Sequence, residues 1–126
     1  MTKGSANWDS KSIFNNIKPC VFQNGKVNYY LNPNDFTKKA DGTASVLTGA
    51  DGDVMIEFWK FAYRIYKEGQ YIYVSITNNF DLANADPRYR YDAFSRLNSG
   101  DLDMFYQGAF KGYIDSNNKL RSIAGV

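Results

Sequence analysis

Aspartates beside glycines are candidate metal ligands in this chain. Asp51-Gly52-Asp53, with Asp41-Gly42 upstream, clusters oxygen donors of the kind that a hard cation such as Ca²⁺ binds. The spacing does not fit an EF-hand loop, and Asp-Gly is also a common turn dipeptide. We therefore favour turns at these positions, and we predict neither metal ligands nor a cofactor.

Catalytic side chains are few. Cys20 is the single cysteine and the chain has no histidine, which excludes a Cys-His nucleophile and favours a buried structural thiol. Asp101 and Asp103 flank Leu102, and we interpret them as carboxylates near the start of a helix. Two carboxylates could serve a glycosidase, but no spacing identifies such a pair. We predict no catalytic residue and no enzyme activity.

An alternation of arginine and tyrosine follows Pro87 and is the best candidate binding surface. Arg88, Tyr89, Arg90 and Tyr91 offer planar rings for stacking on sugars and fixed donors for hydroxyls or carboxylates. The alternative is a strand in which Tyr89 and Tyr91 pack inward while both arginines are solvated. The sequence leaves both interpretations open.

A second aromatic patch comes from Tyr66 and Tyr71, which we expect to face each other across a hairpin, with Tyr73 nearby. Such a patch could be a lectin-like ligand contact, a subunit contact or a simple cross-strand pair. Tyr66 and Tyr71 therefore join the four residues after Pro87 as candidate ligand-binding residues.

The element that must position these tyrosines is an aromatic hairpin. Apolar and polar residues alternate with the period of a strand on both sides of Glu68-Gly69. A two-residue turn there would bury six apolar residues on one face. The predicted pairs are Ile65 with Ile72, Tyr63 with Val74, and Phe61 with Ile76.

The preceding strand has the opposite phase. Val54, Ile56 and Phe58 occupy its even positions, so the change at Phe58-Trp59 predicts a bulge or a switch of the buried face.

The remaining pattern is rich in strands and turns. We predict a β-rich α+β fold of antiparallel hairpins with one or two short helices, in a single domain covering residues 1–126. Its other predicted elements are a helix from Lys11 to Ile17 capped by Asp9 or Ser10, a hairpin of Cys20 to Phe22 with Val27 to Leu31, a turn at Asn32 to Asp35, a loop from Thr37 to Asp53, loops at Asn78 to Asn84 and Asn98 to Asp101, a helical turn at Leu102 to Phe105, a strand from Ala109 to Ile114, and a turn at Asp115 to Asn118.

Composition excludes several classes of protein. The 126 residues are 44% hydrophobic and 17% aromatic, which indicates a folded domain. Fifteen basic residues against 13 acidic ones give no electrostatic footprint of a nucleic-acid binder. No apolar run suits membrane insertion, and the N-terminus lacks the apolar core of a signal peptide, so we expect synthesis in the cytoplasm.

Seven short blocks, in this order, resemble the tail-tip and tail-fibre receptor-binding proteins of phages and prophages of Gram-positive bacteria. They are IKPC (17–20), GKVNYYLNPNDF (25–36), KKADGTAS (38–45), GDVMIEFWKF (52–61), YDAF (91–94), YQGAFKGY (106–113) and LRSIAG (120–125). The chain departs from that family at Phe58-Trp59, where the family has Ile-Pro. The family usually continues beyond the last block, so we expect a short member or the N-terminal part of a larger tail protein.

The resemblance implies a C-type-lectin-like fold and a place in the phage virion. It also implies other tail or baseplate subunits and a host cell-surface glycan as partners, in a homo-oligomer that is commonly a trimer. Three functions remain open: an adhesin domain that binds the glycan, a purely structural tail or baseplate component whose aromatic faces bind neighbouring subunits, and, least favoured, a carbohydrate-active enzyme.

Overall fold

A computed structural model describes residues 12–97 and 100–126. The chain is a β-rich α+β protein whose strands pair antiparallel, as the sequence predicted. Its elements are α1 (Ser12–Asn15), β1 (Ile17–Gln23), β2 (Lys26–Asn32), β3 (Asp35–Lys39), β4 (Asp53–Trp59), β5 (Ala62–Glu68), β6 (Tyr71–Thr77), α2 (Phe80–Ala85), β7 (Ser95–Arg96), β8 (Gly100–Asp101), β9 (Met104–Gly108), β10 (Tyr113–Ile114) and β11 (Leu120–Arg121).

The chain divides into two compact units. The sheet unit comprises Ile17–Phe58 and Tyr106–Val126, and the hairpin unit comprises residues 12–16, 59–97 and 100–105. Strands pair in the order β3-β2-β1-β4-β9 in a five-stranded sheet, whereas β5 pairs with β6 in a separate two-stranded sheet. The change of phase at Phe58-Trp59 therefore marks the end of β4, before the chain enters a different sheet.

The sheet unit is built on the hairpin predicted for its N-terminal part. β1 and β2 are joined by Asn24-Gly25, both with positive φ (54° and 80°), which is the turn chemistry that an Asn-Gly hairpin requires. Val21, Leu31 and Val54 form its buried aliphatic cluster. Cys20 of β1 and Glu57 of β4, which point to the opposite face, are also buried, so both faces of the sheet are covered near the middle of these strands.

Several predicted boundaries in the two units are wrong. The first helix ends at Asn15, and Ile17 and Pro19 lie in β1, because that stretch pairs with β4; Lys11 and the proposed caps Asp9 and Ser10 lie outside the described residues. The loop predicted from Thr37 begins only after β3, which ends at Lys39.

The C-terminal part also differs from the prediction. Leu102 to Phe105 forms no helical turn, because Met104–Gly108 joins the five-stranded sheet as β9. The strand predicted from Ala109 to Ile114 is reduced to the two residues of β10. The turn at Asp115 to Asn118 is confirmed: Asp115 accepts backbone N–H bonds from Asn117 and Lys119.

The central hairpin forms in the hairpin unit, but two features of its prediction are wrong. Ile65 pairs with Val74 instead of Ile72, and Tyr63 pairs with Ile76 instead of Val74. The turn is Gly69-Gln70, because a Gly-X turn needs positive φ at its first residue and Gly69 supplies it (φ 60°).

The aliphatic face of this hairpin is exposed instead of buried. Ile65, Ile72, Val74 and Ile76 are all exposed, whereas Ala62 on the opposite face is fully buried. Ala62 packs with Ala83 of α2 and with Tyr89. The segment 79–91 thus covers the face that the periodicity had assigned to solvent, because alternation identifies two faces without saying which one will be covered.

Helix α2 lies where a loop was predicted. Asn79 caps it by accepting a hydrogen bond from the Leu82 N–H at 3.1 Å. The six-residue helix is short, so its sequence carries little periodicity, but its cap residue was a usable signal.

Candidate functional site

Stacked aromatic rings lie on the covered side of the β5–β6 hairpin. The rings of Tyr66 and Tyr73, which are cross-strand partners, are 5.1 Å apart and 14° from parallel. The guanidinium of Arg88 lies 4.4 Å from the centre of the Tyr66 ring, and the Tyr71 ring contacts Tyr73 edge-on at 6.5 Å. We call Arg88, Tyr66, Tyr73 and Tyr71 the aromatic ladder.

Asp86 fixes the arginine of this ladder. Arg88 donates to the Asp86 carboxylate from Nε at 3.0 Å and from Nη2 at 2.8 Å, and Arg64 donates from Nη1 at 2.5 Å. Hydrogen bonds hold the pKa of Asp86 well below its usual range. The largest effect comes from the Arg88 side chain, and smaller ones come from the Arg88 backbone N–H and the Arg64 side chain. The carboxylate therefore stays ionised and orients both guanidinium groups.

The aromatic ladder has hydrogen-bonding groups and exposed rings that a ligand could contact. Within residues 12–97 and 100–126, the hydroxyls of Tyr66 and Tyr73 and Nη1 of Arg88 make no hydrogen bond. Tyr73 is 42% exposed and Tyr71 is 61% exposed. A planar ligand could stack on these rings while accepting from the guanidinium, a combination that suits a hydroxyl-rich molecule.

The structure separates the six residues that the sequence proposed. Arg88, Tyr66 and Tyr71 lie in the ladder, although Tyr66 pairs with Tyr73, not with Tyr71 as expected. Tyr89 is buried against Ala62 and Ala83.

The other two candidates lie away from the ladder contacts. The Tyr91 hydroxyl donates to Asn84 Oδ1 at 2.9 Å, and its ring packs on the cluster around Tyr89. The exposed Arg90 pairs with Asp92, and its backbone bridges to Tyr63. Tyr89 and Tyr91 therefore pack inward with Arg90 solvated, but the segment forms only an isolated bridge and not the strand considered above.

Two residues of the site were missed or undervalued. Arg64 stacks on Tyr66 and Tyr89, at 5.2 and 4.8 Å, while it binds Asp86. Tyr73 was placed only near the patch, yet it supplies the stacked ring. Choosing Gly69 as the first turn residue would have set the correct register and paired Tyr73 with Tyr66.

The sheet unit contains a buried carboxyl group, Glu57, with two tyrosine partners that the sequence did not indicate. Glu57 is 1% exposed and accepts hydrogen bonds from the hydroxyls of Tyr106 at 2.8 Å and Tyr30 at 3.1 Å. Burial of the Tyr106 hydroxyl is the main cause that raises its pKa, and its hydrogen bond to Glu57 is the second cause. The Cys20 thiol is buried, as predicted. Its burial and, to a smaller extent, the negative charge of Glu57 raise its pKa to about 12, which disfavours the thiolate.

Both Asp-Gly segments lie in turns, as predicted, because the Gly42 N–H donates to the Lys39 carbonyl and the Gly52 N–H donates to the Gly49 carbonyl. Asp51 accepts from the Tyr29 hydroxyl at 2.9 Å, while Asp53 accepts from Arg121 Nε and the Ser122 N–H, both at 2.9 Å. A side chain at Gly52 (φ 131°) would come within 2.4 Å of the Phe22 carbonyl oxygen, so only glycine fits there.

Asp101 also departs from its expected role near a helix. It accepts from Lys60 Nζ at 2.7 Å and from Ser95 Oγ at 2.9 Å. In the described ranges, no group of three or more His, Cys, Asp or Glu side chains is placed to hold a metal ion.

An open pocket of about 370 Å³ lies in the sheet unit, lined in part by Asp53, Met55 and Arg121. Its one guanidinium is already engaged, because Arg121 pairs with Asp53 and Asp115 and donates to the Gly49 carbonyl. The aromatic ladder is therefore the stronger candidate site.

Comparisons with protein-family models, with curated proteins and with solved structures find no match. None of the helices in the described part of the chain is long and apolar enough to cross a membrane.

Proposed function

We propose that this chain is a non-catalytic binding domain of a phage tail tip or baseplate, and that its aromatic ladder holds a host cell-surface glycan. The observation that carries the proposal is the stack of Arg88, Tyr66 and Tyr73. The Arg88 guanidinium lies 4.4 Å from the centre of the Tyr66 ring, and the Tyr66 and Tyr73 rings are 5.1 Å apart. The place in a phage tail rests on the ordered sequence blocks from Ile17 to Gly125.

The ladder suits a saccharide for physical reasons. A sugar ring has an apolar C–H face that can stack on tyrosine and hydroxyls at its rim that can accept from a guanidinium or a phenol. Asp86 holds Arg88 in place before a ligand arrives, so binding orders fewer side-chain rotamers.

A binding role is favoured over catalysis because of how the nearby carboxylate is used. Asp86 lies beside the ladder, but its two oxygens are engaged by Arg64 and Arg88. Its lowered pKa is the opposite of what a general acid at neutral pH needs.

The test is co-sedimentation of fluorescently labelled protein with purified cell walls of Gram-positive bacteria. Tyr73→Ala and Arg88→Ala should each reduce binding at least tenfold, because each removes one layer of the stack. Tyr113→Ala is the matched control, since Tyr113 is exposed to a similar extent (40%) but lies in the sheet unit.

Melting curves of all three variants must accompany the binding data. Cell-wall binding that survives both ladder substitutions would refute the ladder as the binding site. An equal loss of binding in Tyr113→Ala would show that the loss is not specific to the ladder. Parent protein that binds no cell wall tested would remove the support for an adhesin.

A structural tail component is the second candidate function. The observation that favours it is the exposed aliphatic face of Ile65, Ile72, Val74 and Ile76, since an apolar patch of this kind usually contacts another protein. This candidate predicts no cell-wall binding by the parent protein, together with a self-association or subunit contact that charged residues on the hairpin abolish.

A further inference from the structure

The outer edge of β6 is a strand edge without the usual protection against pairing. In the part of the chain that the structure describes, β6 pairs with β5 alone. Its seven residues, Tyr71–Thr77, include no charged residue and no proline, the devices that commonly block edge-to-edge association. The strand also combines strong β-propensity with exposed Ile72 and Val74.

The register shows which backbone groups face outward. Tyr63 exchanges two backbone hydrogen bonds with Arg90, so its N–H and C=O point away from β6. Tyr63 and its partner Ile76 are therefore a non-hydrogen-bonded pair within the hairpin. Since such pairs alternate, Ile72, Val74 and Ile76 all direct their N–H and C=O groups toward the open edge.

The same three residues are symmetric about Val74. Ile72-Tyr73-Val74-Ser75-Ile76 has β-branched aliphatic residues at both ends and in the middle. If a second copy lies antiparallel with Val74 opposite Val74, then Ile72 falls opposite Ile76 in both directions. All three positions become hydrogen-bonded pairs, which gives about six backbone hydrogen bonds between the copies.

We propose that β6 is a homodimer edge: two copies of this chain pair β6 with β6, antiparallel, about a two-fold axis at Val74. The result is a four-stranded sheet across the two copies. A second copy is the fitting occupant because the edge is self-complementary in its backbone groups and in its side-chain sequence, and because no like charges meet across it.

This arrangement has a consequence for the aromatic ladder. A two-fold axis between antiparallel strands runs perpendicular to their sheet, so equivalent faces of both hairpins lie on the same side. Tyr66 and Tyr73 of both copies then share one side of the joint sheet, while Ile65 and Val74 share the other. If the ladder binds a glycan as proposed above, the dimer presents two ladders to one surface and gains avidity.

The dimer edge is tested by sedimentation equilibrium of the full chain over a concentration series. We expect a monomer–dimer equilibrium, and Val74→Lys should weaken dimerisation at least a hundredfold because it places two ammonium groups opposite each other. Ile65→Lys is the matched control, since Ile65 is the cross-strand neighbour of Val74 and is exposed to a similar extent but has no place on the outer edge.

A cross-linking experiment fixes the register independently. Hydrogen-bonded partners have Cα atoms about 5.5 Å apart, within the range of a disulfide, so Val74→Cys should give a disulfide-linked dimer on mild oxidation. Ile65→Cys should not, and the native Cys20 is buried and does not compete.

Several results would overturn the proposal. They are a parent protein that stays monomeric at every concentration, a trimer, or an association that Val74→Lys leaves intact while Ile65→Lys abolishes it. Circular dichroism spectra matching the parent are required of each variant. Because cell-wall binding is measured separately, loss of dimerisation and loss of glycan binding are distinguishable outcomes.

Discussion

Glu57 illustrates how the sheet unit accommodates a buried carboxyl group. The alternation of β4 placed Glu57 opposite in phase to the buried Val54, yet both are almost fully buried. Two tyrosine hydroxyls satisfy the carboxyl oxygens, one from β2 and one from β9. These bonds offset the desolvation that burying a carboxyl group incurs.

Tyr106→Phe should therefore destabilise the protein without creating a cavity. It removes the 2.8 Å hydrogen bond from the Tyr106 hydroxyl to Glu57, and we expect the free energy of unfolding to fall by about 1–3 kcal/mol. Urea denaturation followed by tryptophan fluorescence measures the change. Tyr113→Phe, at an exposed tyrosine, is the control and should match the parent; equal stability of Tyr106→Phe would show that the bond contributes little.

Asp86 should make the protein sensitive to acid. Its pKa in the folded protein lies below the value of about 3.9 expected in the unfolded chain. The stabilisation is therefore complete above that unfolded value and is lost as the pH falls toward the folded one.

The expected result is a smaller loss of melting temperature for Asp86→Asn than for the parent as the pH is lowered from about 5 to about 2. At neutral pH the parent should be the more stable of the two. Asp81→Asn, an exposed carboxylate in the first turn of α2, should keep the parent's profile. Superimposable profiles of parent and Asp86→Asn would contradict the assignment.

The β5–β6 hairpin is the element on which both proposals depend. Its register places Tyr66 beside Tyr73 for the ladder and leaves the backbone of Ile72, Val74 and Ile76 at the open edge. A shift of the pairing by two residues would keep the two faces but dismantle the ladder and move the centre of the edge.

Paired cysteines can verify this register. Ile65→Cys with Val74→Cys should form an intramolecular disulfide, because non-hydrogen-bonded partners have Cα atoms about 4.5 Å apart. Ile65→Cys with Ile72→Cys, the pair predicted from the sequence, should remain reduced because diagonal neighbours are about 7–8 Å apart. Thiol titration and mass spectrometry after oxidation, at a protein concentration where the chain is monomeric, distinguish the two registers. A disulfide that forms only between residues 65 and 72 would support the register predicted from the sequence and contradict the observed one.

Taken as a whole chain, the protein uses its aromatic residues in two ways. Phe61, Phe94 and Phe105 make tilted or edge contacts in the interior of the hairpin unit, where Phe94 is fully buried. Tyr66, Tyr71 and Tyr73 leave part of their rings in solvent. The first group supplies burial that a chain of this size needs, and the second is the surface on which we propose that a glycan binds.

The sequence by itself determined the elements whose signals are local. Strand alternation identified the β5–β6 hairpin, and turn residues identified the first hairpin and the turn at Asp115 to Asn118. The lone Cys20 was predicted to be a buried thiol. Each of these follows from dihedral preferences or burial tendencies of a few adjacent residues, so no distant partner had to be known.

Only the tertiary structure decided which face of the second hairpin is covered and which side chains meet. Residues 79–91 fold back over Ala62, which exposes Ile65 and Val74 and brings Arg88 onto Tyr66. Glu57 likewise becomes buried only because Tyr30 and Tyr106 arrive from other strands. Periodicity defines the two faces of a strand, but the element that covers one of them is selected by long-range packing, which no window of neighbouring residues contains.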